Sequence, residues 1–81
     1  MLMPLSMASA NETVEIATVR AGWGLQRRLA EMGLNPGVRV RVINSQHRGP
    51  IVLDVRGSRL ALGHGVAHKI MVSPISPKRG K

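Results

Sequence analysis

Residues 27–37, RRLAEMGLNPG, carry the most specific structural signal in the chain. Three apolar side chains in and just before this stretch recur at i, i+4 and i+7, the spacing of one helical face, and they are Leu25, Leu29 and Met32. Gly33 stands where a helix commonly ends in a left-handed residue, and Asn35-Pro36-Gly37 has the composition of a turn. The sequence therefore predicts a short helix that ends at Gly33, then a turn, then a strand that begins at Val38.

The rest of the chain supplies the sheet that this helix needs, since an isolated helix so short is unstable in water. Five segments have the alternation or the short apolar runs typical of strands, and they are residues 12–20, 38–45, 51–56, 59–62 and 69–72. Gly57-Ser58 fits a two-residue type II′ hairpin loop, and residues 63–68 fit one helical turn. We therefore predict a mainly β protein with one short helix, folded as an SH3-like small barrel.

Composition divides the chain into one folded unit and two flanking segments. Residues 1–11 are expected to form an irregular lead-in, residues 12–73 the SH3-like domain, and residues 74–81 a basic flexible tail. Ala8-Ser9-Ala10 resembles a signal cleavage site, but no Lys or Arg precedes it, so no secretory signal is predicted. No segment reaches the roughly 20 apolar residues that span a bilayer, so no direct membrane insertion is expected.

The charge of the chain is strongly one-sided, with 12 Lys and Arg against 4 Asp and Glu and a formal net charge of +8. Such an excess favours an anionic partner: a nucleic acid, an acidic protein face or a lipid surface. A solvated surface that keeps a small protein soluble explains it equally well. The chain has no Cys, which excludes disulfides and thiolate sites and fits a reducing cytosol.

No catalytic site can be assembled from the sequence. The four carboxylates are scattered without a close pair, and no glycine-rich loop ends in Lys-Ser or Lys-Thr to bind a nucleotide. His64 and His68 lie at i and i+4, but no third ligand is near them in sequence, and His47 lies in a distant turn. We therefore predict a protein that is not an enzyme and has no cofactor and no metal-binding residues.

Partner binding is the chemistry that the sequence favours. Trp23 is a lone aromatic residue in a Gly-x-Gly connector, and Trp is enriched among the residues that dominate binding energies. The alternative is that Trp23 closes one end of the barrel. Gln26, Arg27 and Arg28 are expected on the exposed side of the adjacent helix. We predict that these four residues bind a partner.

A second candidate surface is basic. Arg39 and Arg41 share the outward face of the second predicted strand. Arg56 and Arg59 flank the following hairpin, so all four side chains could form one positive patch that binds a partner. Barrels that bind RNA commonly carry aromatic residues for base stacking, and these strands have none. An acidic protein face or membrane phosphates therefore rank above nucleic acid, with a merely solvated surface as the open alternative.

The chain also carries an ordered series of motifs. RLAEMGLNPGVRV at residues 28–40 resembles the central motif of FeoA, the family of ferrous iron transport protein A, in its Arg-Leu, its Gly and its Pro-Gly before a strand. Smaller matches stand in the family's order at residues 4–6, Val14, Ile16, and residues 49–51, 55–57, 60–62 and 67–72. Two departures are a shorter gap before Gly49 and Asn11 in place of a frequent Gly, although Asn tolerates the left-handed conformation.

The resemblance to FeoA implies a role as well as a fold. It implies a bacterial, cytoplasmic protein that binds the cytosolic domain of FeoB, a GTPase-linked membrane transporter of ferrous iron, and modulates transport or the GTPase cycle. Recruitment to the inner face of the inner membrane and a homo-oligomer remain open. Two alternatives come from other classes. One is a small basic nucleic-acid-binding barrel, and the other is a detached SH3-like domain of a metal-dependent regulator, although no DNA-binding helices precede it here.

Overall fold

The computed structural model describes residues 1–45 and 49–75, which form an antiparallel sheet with helices at its connections. The strands are β1 (Met3–Pro4), β2 (Thr13–Val19), β3 (Arg39–Ser45), β4 (Ile51–Val55), β5 (Ser58–Leu62) and β6 (Ile70–Pro74). The helices are α1 (Trp23–Glu31), α2 (His64–His68) and a 3₁₀ helix (Leu5–Met7). The sheet order is β1-β6-β2-β3-β4-β5, so the mainly β architecture with one longer helix agrees with the prediction.

The core is formed by the alternating apolar residues of the strands, which point to one face of the sheet. The buried strand residues are Val14, Ile16, Val40, Val42, Ile51, Leu53, Val55, Leu62, Ile70 and Val72. The helices and connections add Leu5, Ala8, Leu29, Leu34 and Ala67. Within the described residues no polar side chain is buried, so this core is aliphatic throughout. Burying each of its larger side chains contributes about 1.5–3 kcal/mol.

A left-handed glycine follows the C-cap residue of helix α1, where the sequence predicts it. Gly33 has a φ of +91°, and its N–H donates to the carbonyl of Ala30 at 2.9 Å. The N–H of Leu34 donates to the carbonyl of Leu29, also at 2.9 Å. These two bonds define a Schellman cap. Because Leu29 and Leu34 are both buried, the cap also fixes the end of α1 to the core.

The turn after α1 ties the helix to the sheet. The N–H of Val38 donates to the carbonyl of Asn35 at 3.1 Å, and Gly37 has a φ of +90°, which is the geometry of a type II turn with Pro36 at its second position. Gly37 also donates its N–H to the carbonyl of Ile16 at 2.7 Å, and Ile16 donates to Val38 at 2.9 Å. The predicted turn is therefore bonded to the middle of β2, which fixes where β3 begins.

The apolar face of α1 is narrower than the sequence predicts. Leu29 is buried and Leu25 is partly buried against the core, but Met32 is 39% exposed. The helix ends at Glu31, so Met32 is the C-cap residue and its backbone has already left helical geometry, with φ −86° and ψ 0°. Met32, which the sequence places on the same helical face as Leu25 and Leu29, is therefore not part of the core.

The N-terminal segment is more ordered than the irregular lead-in expected for residues 1–11. Met3 of β1 lies opposite Val72 of β6, and the 3₁₀ helix places Leu5 fully in the core. A two-residue strand and a three-residue helix are too short to show a hydrophobic period, so no local signal reveals them. Asn11 adopts a φ of +71°, the left-handed conformation that Asn was expected to tolerate.

The β4–β5 hairpin differs from the prediction by one residue. Val55 pairs with Ser58, so the loop is Arg56-Gly57 and not Gly57-Ser58. Both loop residues have positive φ, +54° and +88°, which is type I′ geometry and not type II′. Asp54 stabilises the loop, because its Oδ1 accepts the N–H of Gly57 at 2.8 Å. Arg seldom adopts positive φ, and for that reason the sequence misplaces the loop.

Two predicted segments lie partly or wholly outside the described residues. Pro74, where the basic tail was expected to begin, is the last residue of β6 and pairs with Val14, and residues 76–81 are not described. Residues 46–48, just before β4, are not described either.

The predicted helical turn at residues 63–68 is confirmed as α2. In the described ranges no helix is long and apolar enough to cross a membrane.

Candidate functional site

Trp23 begins α1 and lies on the surface of the protein. It follows the N-cap residue Gly22, whose extended backbone leads the chain into the helix. Trp23 is 72% exposed, so its ring contributes little to the core. The alternative that Trp23 closes one end of the barrel is therefore not supported. This exposure agrees with the sequence prediction that Trp23 binds a partner. The binding itself stays a prediction.

One turn along the helix, Arg27 lies against the ring of Trp23. Its Cζ is 5.3 Å from the ring centroid, which is within the range of a cation–π interaction. Its Nε is also 3.5 Å from Oε2 of Glu31, one turn further along. Both ends of this ion pair are exposed, so the pair contributes at most about 0.5 kcal/mol to stability. The two contacts place the guanidinium between the ring and the carboxylate.

The residues Trp23, Arg27 and Glu31 form a continuous surface that we call the α1 ridge. They are four residues apart, so they follow one face of the helix. Arg28, another predicted partner-binding residue, is exposed but lies about 100° around the helix from Arg27. Arg28 therefore borders the α1 ridge without being part of it.

Gln26, the remaining predicted contact on this helix, makes hydrogen bonds within the protein. Its Nε2 donates to the carbonyl of Ala21 at 2.7 Å and to that of Val19 at 3.3 Å. Val19 ends β2 and Ala21 lies in the connector, so the amide of Gln26 fixes the path by which the chain enters α1. The structure thus gives Gln26 a positioning role for Trp23, and its contact with a partner stays a prediction.

The predicted basic patch on the sheet is interleaved with carboxylates. Arg39 on β3 lies opposite Glu15 on β2, with 3.7 Å between Arg39 Nε and Glu15 Oε1. Asp54 on β4 lies opposite Arg41 on β3 and opposite Arg59 on β5. Directly opposite residues project from the same face of a sheet. We call this surface of three arginines and two carboxylates the arginine face.

The arginine face carries less positive charge than the sequence predicts. Glu15 and Asp54 offset two of its three arginines, and the fourth predicted residue, Arg56, lies apart in the hairpin turn with a φ of +54°. A protein binds phosphates through cations that displace the counterions of the nucleic acid or membrane. Arginines that already face carboxylates neutralise phosphates less well. The arginine face is therefore a weaker candidate for an anionic partner than the sequence predicts.

An open groove of about 640 Å³ lies between the 3₁₀ helix and α2. Its lining consists of Ser6, Met7, Ala8, Ser9, Ala10, Ser45, His64 and His68. His68 Nδ1 is 3.3 Å from Ser6 Oγ, a contact between residues 62 positions apart in the chain. His64 and His68 stand at the two ends of α2. Among the residues that the structure describes, no three His, Asp or Glu side chains are grouped so that they could hold a metal ion.

The chain is similar to proteins of iron transport along nearly its whole length. The profile of the FeoA domain matches residues 3–74. "Putative Fe(2+) transport protein A" of Methanocaldococcus jannaschii is 41% identical over 71 residues, which cover 88% of this chain and 85% of that protein. A crystal structure of iron uptake regulatory protein (FeoA) has a TM-score of 0.87 at 33% identity and covers 93% of this chain and 100% of its own. The solution NMR structure of FeoA from Chlorobium tepidum has a TM-score of 0.83 at 29% identity and covers 96% and 75%.

These similarities confirm the resemblance drawn from the motif at residues 28–40 and the small mainly β, SH3-like fold predicted from the sequence. Sequence reasoning missed two features of the surface. Glu31 in the α1 ridge could have been found, because it lies four residues after Arg27 on a helix. The contact of Ser6 with His68 could not, because nothing local links two residues so far apart.

Proposed function

This chain belongs to the FeoA domain family, and we propose that it is an accessory protein of ferrous iron transport that binds the cytosolic domain of a FeoB-type membrane transporter through its α1 ridge. Trp23 is the observation that carries this proposal, because the residue is 72% exposed and its ring contacts Arg27. Large, exposed and ordered aromatic residues are the usual anchors of protein interfaces.

Burying Trp23 in a complex would supply a large share of the binding energy. A Trp side chain buries on the order of 150–250 Å², and at about 25 cal/mol per Å² that area is worth about 4–6 kcal/mol before the entropy of association is counted. Most of this area is still exposed in the free protein. The contact with Arg27 also restricts the ring beforehand, which lowers the entropy that binding must remove.

The surroundings of the α1 ridge favour an acidic and partly apolar docking face on the transporter. Arg20 and Lys69 are exposed neighbours, because the N–H of Arg20 donates to the carbonyl of Lys69 at 2.7 Å. Arg20 also leads into the connector that carries Trp23, and Arg28 borders the ridge. The carboxylate on the ridge, Glu31, lies next to Arg27. The net charge around Trp23 is therefore positive, which favours association with an acidic surface.

In this proposal the chain acts by binding, in the cytoplasm, and reaches the membrane through the transporter. Nucleotide hydrolysis and the passage of iron belong to the partner, since the sequence has no glycine-rich loop that ends in Lys-Ser or Lys-Thr. Docking at the cytosolic domain would modulate transport or the GTPase cycle by favouring one state of that domain. A ligand can shift such an equilibrium only through its different affinities for the two states.

The affinity of the full chain for the full-length transporter in lipid nanodiscs tests this proposal. Trp23→Ala should raise the Kd about 30-fold or more, because interface anchors contribute at least about 2 kcal/mol. Arg41→Ala on the arginine face is the matched control and should leave the Kd within about twofold of the wild-type value, as expected for exposed residues outside an interface. Both side chains are exposed, so both variants should melt close to the wild type.

Three outcomes would contradict the proposal. An unchanged Kd for Trp23→Ala would remove the α1 ridge from the interface. A larger loss for Arg41→Ala than for Trp23→Ala would move the interface to the arginine face. Binding of oligonucleotides that falls steeply with salt, together with no binding to the transporter, would replace the proposal with the nucleic-acid-binding alternative.

A further inference from the structure

The groove between the 3₁₀ helix and α2 brings together three side chains that donate soft or borderline-soft lone pairs. We propose that it binds one Cu(I) ion through the thioether of Met7 and one imidazole nitrogen from each of His64 and His68. All three line the groove, and the other lining residues are Ser and Ala. The groove shares no residue with the α1 ridge, so this inference stands apart from the proposed function.

The two histidines are arranged by α2. They are four residues apart at its ends, so their rings leave the same face of the helix and their Cβ atoms are about 5–6 Å apart. Ala67 between them is fully buried, and its N–H donates to the carbonyl of Gly63 at 3.0 Å. The short helix is thus held on the core, and its outer face presents both rings to the groove.

The hydrogen bond between Ser6 and His68 orients this histidine and holds the segment of Met7, the third ligand, beside it. It engages Nδ1 of His68, which leaves Nε2 as the nitrogen available to a metal, and histidine ligands generally use their second nitrogen in this way. Met7 follows Ser6 directly, so the same contact holds the segment that carries the thioether beside α2. Leu5, on the other side of Ser6, is fully buried and anchors this segment in the core. Met7 itself is 69% exposed and free to turn towards the rings.

The chemistry of the donors selects the metal. Thioether ligands favour Cu(I), and imidazole also binds copper well. Magnesium, calcium and the usual sites of ferrous iron require carboxylates, and the lining of the groove that the structure describes contains none. Glu12 does not line the groove, and its Oε1 accepts the N–H of Ser9 at 2.8 Å. The net charge of +8 also opposes a divalent ion more strongly than a monovalent one.

The inference is tested by anaerobic titration of the full chain with Cu(I) in competition with bathocuproine disulfonate. We expect one equivalent of bound Cu(I) and an X-ray absorption spectrum that contains both nitrogen and sulfur neighbours. Met7→Leu should remove the sulfur signal and weaken binding, whereas Met32→Leu, the matched control on α1, should change neither. Ser6→Ala should weaken binding about tenfold, as is typical when a partner of a histidine ligand is lost, and His64→Gln should weaken it more.

Each contrary result has a defined meaning. Absence of Cu(I) binding, or binding by Met7→Leu that equals the wild type, would overturn the proposed site. Loss of the sulfur signal in Met32→Leu would show that Met32, and not Met7, supplies the thioether. That result would also overturn the proposed site. Tighter retention of Zn(II) or Fe(II) than of Cu(I) in the same competition would overturn the choice of metal. Melting curves of the apo variants that match the wild type ensure that a loss of binding is not a loss of folding.

Discussion

The α1 ridge and the arginine face both present exposed arginine, but their arginines have different neighbours. On the arginine face, Arg39 lies opposite Glu15, and Asp54 lies opposite two arginines across the strands. On the α1 ridge, Arg27 lies over the ring of Trp23 and 3.5 Å from the carboxylate of Glu31. Both surfaces thus offset arginines with carboxylates, by strand register on the arginine face and by helical spacing on the α1 ridge, but the α1 ridge adds an exposed aromatic ring. The number of arginines in a segment therefore does not give the charge of its surface.

The largest expected effect is on the free energy of unfolding, at the point where α1 packs on the core. The α1 ridge lies on one short helix, whereas the arginine face is part of the sheet. Leu29→Ala removes a buried side chain and should lower the free energy of unfolding by about 2–5 kcal/mol in urea denaturation. The control Met32→Ala, at a partly exposed position, should cost less than about 1 kcal/mol. Equal costs for the two variants would show that Leu29 does not anchor α1.

An intermediate effect is expected for Gln26, which positions the α1 ridge through two hydrogen bonds. Gln26→Ala should lower the free energy of unfolding by about 1 kcal/mol and lower the fluorescence anisotropy of Trp23. Gln26→Glu should cost at least as much, because a carboxylate would replace the donor that faces two carbonyl oxygens. Unchanged stability and anisotropy, combined with weaker binding to the transporter, would instead restore the partner contact that the sequence predicts for Gln26.

The smallest effect is expected on the arginine face. Arg39 and Glu15 are exposed and 3.7 Å apart, so a double-mutant cycle with Arg39→Ala and Glu15→Ala should give a coupling energy below about 0.5 kcal/mol. The coupling should decrease further at high salt, because salt screens exposed charges. A coupling well above about 1 kcal/mol would mean that this surface is held together by its ion pairs. The ion pair of the arginine face would then be stronger than the exposed Arg27–Glu31 pair of the α1 ridge, contrary to the comparison drawn between the two surfaces.

The sequence predicts those parts of the fold that local chemistry determines. The left-handed end of α1 at Gly33 and the turn at Pro36-Gly37 follow from residues with few allowed conformations. The strands follow from alternation, because one face of each is buried. The motif at residues 28–40 adds the family, since it combines the helix end, the turn and the strand in one stretch.

The remaining features depend on contacts between distant residues or on conformations that the residue type disfavours. Arg56 adopts positive φ because Asp54 and Gly57 close the hairpin around it, and this moves the loop by one residue. The placement of carboxylates opposite the arginines of the arginine face depends on the strand register, which cannot be predicted from the sequence alone. The sequence also does not determine whether Trp23 is exposed or buried, because a glycine-rich connector can turn an aromatic ring inward or outward.

Binding through the α1 ridge is tested most directly by whether Trp23 becomes buried when the transporter binds. The chain contains one Trp, so biosynthetic labelling with 5-fluorotryptophan places a single ¹⁹F nucleus in the α1 ridge. We expect the resonance to lose its solvent isotope shift and to move on addition of the full-length transporter in nanodiscs. Arg41→Ala should give the same change. A bound complex in which the resonance keeps its position and its solvent isotope shift would show that Trp23 lies outside the interface.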